Sequence, residues 1–100
     1  MAIGGPDYGI RTITSGGTHQ QVKVSVTSAD STGTFTTQMA AVLIRNEGPN
    51  TLYFELDDTA DTDKMSLYPR EGIVVNKPVT VVHLICAIGN TATAKLFGVA

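Results

Sequence analysis

Valines alternate with polar residues along segment 18–27, at Val22, Val24 and Val26. Successive side chains of a β-strand point to opposite faces, so a period of two places the valines on one face and the polar residues on the other. The pattern therefore predicts a β-strand that is half buried and half solvated.

Most of the remaining chain divides into short apolar segments separated by Gly, Pro, Asn and Asp. The apolar run 40–45 and the alternating segment 52–56 flank Gly48-Pro49-Asn50, which predicts a β-hairpin. A helix of one or two turns over 37–45 is the alternative, which the shortness of the run disfavours. Further strands are predicted over 34–38, 65–68, 73–75, 79–88 and 91–99.

Turn residues recur about every 8–12 positions, which is typical of β-sandwiches and barrels. We therefore predict an all-β fold, an antiparallel β-sandwich that is jelly-roll-like, with about eight short strands. Its core is predicted to contain Val22, Val24, Val42, Ile44, Phe54, Leu84 and Leu96.

The start of the chain differs in composition, with five glycines in residues 1–17. Glycine leaves the backbone free to adopt many conformations, so we predict a flexible N-terminal arm over 1–17 and a β-sandwich domain over 18–100. Apolar anchors in the arm indicate that it binds a partner, although it could instead be the first edge strand of the domain. These anchors are Ile3, Tyr8, Ile10 and Ile13.

The segment 79–88 is apolar at both odd and even positions. An antiparallel strand usually has one solvated face, so a strand that is apolar on both faces needs a second cover besides the core, either the N-terminal arm or a neighbouring subunit. The predicted partner-binding face of this strand consists of Val79, Val81, His83 and Ile85.

Composition excludes several functional classes. The net charge is −2 and the seven basic residues are scattered singly along the chain, which argues against nucleic-acid binding. The chain has no stretch of about 18 or more apolar residues, so no membrane span is predicted. The start does not resemble a secretory signal. Cys86 lies within an apolar run and is predicted to be a core residue of a protein folded in a reducing compartment.

Candidate chemistry is sparse. Segment 57–63 holds four of the nine acidic residues, but without the Gly and the final Glu of a calcium-binding EF-hand loop. It is predicted to be a solvated loop, with a calcium site as the alternative. His19 and His83 are far apart in the sequence, and Cys86 is not on a sharp turn. We predict no catalytic, cofactor-binding or metal-binding residues and no enzymatic activity.

Three segments carry a family resemblance: the stretch from Val42 to Ala60 containing Asn46, Gly48, Pro49 and Asn50, the stretch Leu67–Gly72 containing the turn Pro69-Arg70-Glu71-Gly72, and, after the apolar strand, the stretch that begins Gly89-Asn90-Thr91-Ala92 and continues to Leu96. Together they resemble small accessory virion proteins of tailed bacteriophages. The resemblance covers about residues 40–98, and Pro69-Arg70-Glu71-Gly72 departs from the commoner Pro-Gly-Glu form.

The resemblance implies a protein that decorates or cements a capsid, located in the virion and assembled in the host bacterial cytoplasm. The expected partner is the major capsid protein or another virion protein. We also expect a homo-oligomer, with a trimer favoured, and no nucleic-acid or membrane partner. The alternatives are a tail, neck or baseplate accessory protein, or a small module that binds carbohydrate or a host surface.

Overall fold

The computed structural model describes residues 18–100, which form eight β-strands and no helix. The strands are β1 (His19–Val26), β2 (Ser31–Met39), β3 (Ala41–Pro49), β4 (Leu52–Leu56), β5 (Met65–Leu67), β6 (Gly72–Val75), β7 (Val79–Cys86) and β8 (Ala92–Val99).

The strands form two antiparallel sheets of four strands each. Sheet A has the order β1-β8-β3-β6, and sheet B has the order β2-β7-β4-β5. The pairs β1/β8, β2/β7, β3/β6 and β4/β5 are nested, so the chain behaves as one long hairpin that doubles back after β4 and rolls into two sheets. This is the jelly-roll arrangement, and the predicted all-β sandwich is confirmed.

The core lies between the two sheets. Six of the seven predicted core residues are buried, and Val22 is partly buried against the others. The buried six are Val24, Val42, Ile44, Phe54, Leu84 and Leu96. Alternation within each strand thus identified the inward faces correctly, because the pleat fixes which side chains share a face.

The predicted hairpin between 40–45 and 52–56 is wrong. These segments belong to β3 in sheet A and β4 in sheet B, and β4 pairs with β7 and β5 instead. The Gly-Pro-Asn segment therefore carries the chain from one sheet to the other. The short helix considered over 37–45 is absent as well, because these residues belong to β2, β3 and the bend between them.

Asn46 fixes this crossing point. Its side chain is fully buried, and its Nδ2 donates to the carbonyl oxygens of Leu67 and Asn50 at 2.8 Å each. Its Oδ1 accepts the N–H of Gly48 at 2.7 Å, and its backbone bonds to the turn over 68–71. One side chain thus joins the exit of β3, the entry of β4 and the end of β5. Its polar groups are paired, as burial requires.

Candidate interaction surfaces

Strand β7 lies in the middle of sheet B, between β2 and β4. Its inward residues, such as Leu84, are fully buried. Val81, His83 and Ile85 lie on the outer face of sheet B, where each is half buried. Three of the four β7 residues predicted to contact a partner are therefore on an outward surface.

Val79 is the exception, and its predicted place on the outer face is wrong. It is fully buried in the core and pairs with Met39, which is also fully buried. The register between β2 and β7 shifts between Thr34 and Met39, so simple alternation does not extend to the first residue of β7. In this structure Val79 cannot contact a partner.

A segment other than the predicted arm lies beside part of the outer face of β7. The loop 57–64 between β4 and β5, which we call the acidic loop, is tied to the outer face of sheet B through Asp30. One carboxylate oxygen of Asp30 lies 2.9 Å from Nδ1 of His83, and the other accepts the N–H of Ala60 at 2.9 Å. Ala60 is buried. This arrangement holds the acidic loop beside β7.

The environment of Asp30 lowers the pKa of its carboxyl. Desolvation favours the neutral acid and by itself would raise this pKa, but the hydrogen bond with His83 and the backbone bond from Ala60 together outweigh it. The net pKa lies below the ordinary value of 3.8. The charged form of Asp30 therefore stabilises the folded state.

An Asp30→Asn variant is expected to lose about 1 kcal/mol of unfolding free energy at pH 7, because the side chains of the pair are only partly buried. A carboxyl with a depressed folded-state pKa contributes its stability above the unfolded pKa of 3.8 and loses it as the pH falls through the lower folded value. The difference between the two proteins should therefore persist at neutral pH and vanish in strong acid.

Urea unfolding over a pH series measures this difference. Asp58→Asn is the matched control, because it removes the same charge from a carboxylate that bonds the adjacent N–H of Thr59. Equal pH profiles for the two variants would contradict the assigned role of Asp30.

The outer face of sheet A carries an apolar row that the sequence analysis did not identify. Cross-strand register places Phe97 opposite Leu43, and Leu43 opposite Val74. Val74 is 61% exposed and Leu43 is 37% exposed. The ring of His19 stacks on Phe97, with the ring centroids 5.3 Å apart. The signal was present in the sequence, since Leu43 and Phe97 each adjoin a core residue and must point the opposite way.

A cationic row lies beside the apolar row, two residues away from it on β3 and on β8. Lys23 is opposite Lys95 and Lys95 is opposite Arg45, so three of the seven basic residues gather across β1, β8 and β3. The description of the basic residues as scattered singly holds for the sequence but is wrong for the folded chain. Directly opposed like charges disfavour the sheet unless an anion compensates them.

Glu47 supplies part of that compensation. Its carboxylate accepts a hydrogen bond from Nε of Arg45, and its Oε1 lies 3.9 Å from Nζ of Lys95. The bond from Arg45, followed by the charges of Arg45, Lys95 and Arg70, lowers the pKa of Glu47 below its ordinary value. Within residues 18–100, Glu47 is the carboxylate that pairs with the cationic row, and the row retains excess positive charge.

Residues that could perform chemistry do not converge in residues 18–100. No group of three His, Cys, Asp or Glu side chains in this range could hold a metal ion. His19 and His83 lie on the outer faces of different sheets. Cys86 is confirmed as a buried core residue, and burial raises the pKa of its thiol. The predicted absence of catalytic, cofactor and metal sites stays a prediction.

The predicted arm residues Ile3, Tyr8, Ile10 and Ile13 lie outside the described residues. Among those described, no helix is long and apolar enough to cross a membrane. Comparison with family models, curated proteins and solved structures finds no match.

Proposed function

We propose that this chain is a non-catalytic virion protein that binds an assembled bacteriophage capsid and stabilises it as a decoration or cement protein. The observation that carries this proposal is the apolar row of Phe97, Leu43 and Val74 on the outer face of sheet A, which does not belong to the core cluster between the sheets.

A contiguous apolar surface exposed outside the core is typical of protein–protein contacts. Aromatic residues and Arg are enriched at such contacts, and here Phe97 and Arg45 lie near one another on the same face. The cationic row places positive charge on one side of this face, which favours a partner with complementary charge and one orientation of that partner. These features support binding to a protein surface.

The choice of a virion among protein assemblies rests on the resemblance over about residues 40–98. The jelly roll is compatible with it, since viral capsid domains and lectins use this architecture, but a fold by itself does not determine function. Asn46 and Gly48, which carry much of the resemblance, join the two sheets and do not form a binding site.

The proposal is tested first on purified virions of the phage that encodes the chain. Mass spectrometry should find the chain in many copies per particle, and cryo-electron microscopy should locate it on the capsid exterior. Recovery with the tail fraction alone would favour the tail, neck or baseplate alternative. Absence from the particle would contradict a virion role.

A second measurement tests stabilisation. Capsids lacking the chain, incubated with the purified full-length chain, should bind it to saturation and melt at a higher temperature, because a ligand of the assembled state stabilises that state by mass action. An unchanged capsid melting temperature at saturation would contradict the cementing role.

A further inference from the structure

We infer that copies of this chain associate head to tail, with the outer face of sheet A of one copy on the outer face of sheet B of the next. In this contact the acidic loop of one copy meets the cationic row of its neighbour. This contact deepens the proposed function by naming a second copy of the chain as the protein surface that covers the apolar row, and it is testable on the isolated chain.

Charge is distributed unequally between the two outer faces. Lys23, Lys95 and Arg45 outnumber the carboxylate of Glu47 beside them on sheet A, although the whole chain carries −2. The compensating negative charge lies elsewhere in the chain. The acidic loop alone holds four Asp against the single cation of Lys64.

The acidic loop lies on the opposite side of the sandwich from the cationic row. Asp30 holds the loop to His83, and His83 is on the outer face of sheet B. Glu55 lies opposite His83 on the same face. The inner faces of the two sheets pack against each other, so the negative and positive surfaces are separated by the thickness of the sandwich, about 10 Å between sheets.

Carboxylates of the acidic loop remain accessible to a neighbouring copy. Asp58, Asp61 and Asp63 are exposed. One oxygen of Asp58 and one of Asp61 accept N–H groups of the loop itself, which fixes the loop conformation. An ionised carboxylate has two oxygens and about four acceptor sites, so each retains capacity for a cation from outside.

Both outer faces also carry apolar side chains that this contact would bring together. The apolar row of Phe97, Leu43 and Val74 needs an apolar cover, and the outer face of sheet B offers the half-buried side chains of Val81 and Ile85. Stacked sheets pack about 10 Å apart with side chains interdigitating, which is the geometry this contact would use.

Symmetric pairing of identical faces is disfavoured by charge. Two sheet A faces would bring the cationic rows together, and two sheet B faces would bring the acidic loops together. Like-charge contacts of this kind cost several kcal/mol. Only the head-to-tail arrangement pairs opposite charges, and such heterologous contacts produce closed rings or open filaments.

The decisive experiment exchanges charges between the two faces of the full chain. The face variant is Lys23→Glu/Lys95→Glu, and the loop variant is Asp58→Lys/Asp61→Lys. Sedimentation velocity at micromolar concentration and low salt should show wild-type oligomers that dissociate as salt is raised, because screening weakens charge contacts. Each variant alone should associate about tenfold or more weakly.

Mixing the two variants should restore association, because each reversed surface then meets a reversed partner surface. Lys77→Glu, a charge reversal outside both faces, is the control and should sediment as wild type. Thermal unfolding followed by circular dichroism should show that every variant is folded.

Three results would overturn the inference: a monomeric wild type, variants that associate as well as wild type, or a mixture that stays dissociated. The inference would also be overturned if the wild-type chain were monomeric and bound a single-stranded DNA oligonucleotide that the face variant does not bind. The cationic row would then be a phosphate-binding surface. A monomeric chain that still binds capsids overturns this inference alone. An associating chain that is absent from virions overturns the proposed function alone.

Discussion

Replacing Asn46 by Asp should lower the free energy of unfolding by about 3 kcal/mol at pH 7, since this change leaves an unpaired charge in a fully buried position. The amide Nδ2 now donates to the carbonyl oxygens of Leu67 and Asn50, each at 2.8 Å. A carboxylate has the same shape but no hydrogen to donate, so its oxygen would face two acceptors. The Oδ1 contact with the N–H of Gly48 would survive.

The pH dependence of the Asn46→Asp variant identifies the cause. Burial and the two facing carbonyl oxygens should raise the pKa of the new carboxyl above the unfolded value of about 3.9. A carboxyl with a raised folded-state pKa costs least below the unfolded pKa, where it is neutral in both states. The loss grows as the pH rises and becomes constant above the folded pKa.

Urea unfolding from acid to neutral pH measures both effects. Asn50→Asp is the matched control, because Asn50 makes one exposed side-chain bond to the carbonyl oxygen of Thr91 at 2.9 Å. Its loss should stay below about 1 kcal/mol with little dependence on pH. Similar losses for the two variants would show that Asn46 does not organise the crossing between the sheets.

The sequence was sufficient to predict the strands and their buried faces, because both follow from local alternation. Val24, Ile44 and Leu84 are buried as expected from the period of two. The prediction failed where a nonlocal contact decides. The turn after β3 has ordinary hairpin residues, yet the chain changes sheets there, and the bond from Asn46 to Leu67 spans 21 residues.

The interaction surfaces were only partly predictable for the same reason. Val81, His83 and Ile85 lie on one strand, and their shared face can be read from a short segment. The cationic row combines residues from β1, β3 and β8, and Lys23 meets Lys95 only through strand register. No local pattern reports such a row, because register between distant strands is set by the packed core.

A Gly98→Val variant should lose about 3 kcal/mol of unfolding free energy through overpacking of the core. Gly98 lies on β8, and a side chain at this position would point at the opposite sheet. A Cβ atom added there would lie 2.5 Å from Cγ of Met39 and 2.9 Å from Cε1 of Phe35. Both neighbours are almost completely buried, so neither can move aside cheaply.

Gly72→Val is the matched control for Gly98→Val. A Cβ at Gly72 would meet the carbonyl oxygen of Ile44 and Cδ1 of Leu43 at 3.5 Å, which is ordinary van der Waals contact. A β-branched residue also suits a strand, so this variant should stay within about 1 kcal/mol of wild type. Equal losses at the two positions would show that removal of glycine, and not crowding of the core, causes the effect.

A double-variant cycle with Met39→Ala then identifies the crowded contact. Met39→Ala alone should cost about 2–5 kcal/mol, because it leaves a cavity beneath β8. In the Gly98→Val background the same truncation makes room for the valine, so the combined loss should be at least about 1 kcal/mol smaller than the sum of the two single losses. Strictly additive losses from urea unfolding would mean that the valine does not occupy the space of Met39, and the packing assigned to β8 against β2 would be wrong.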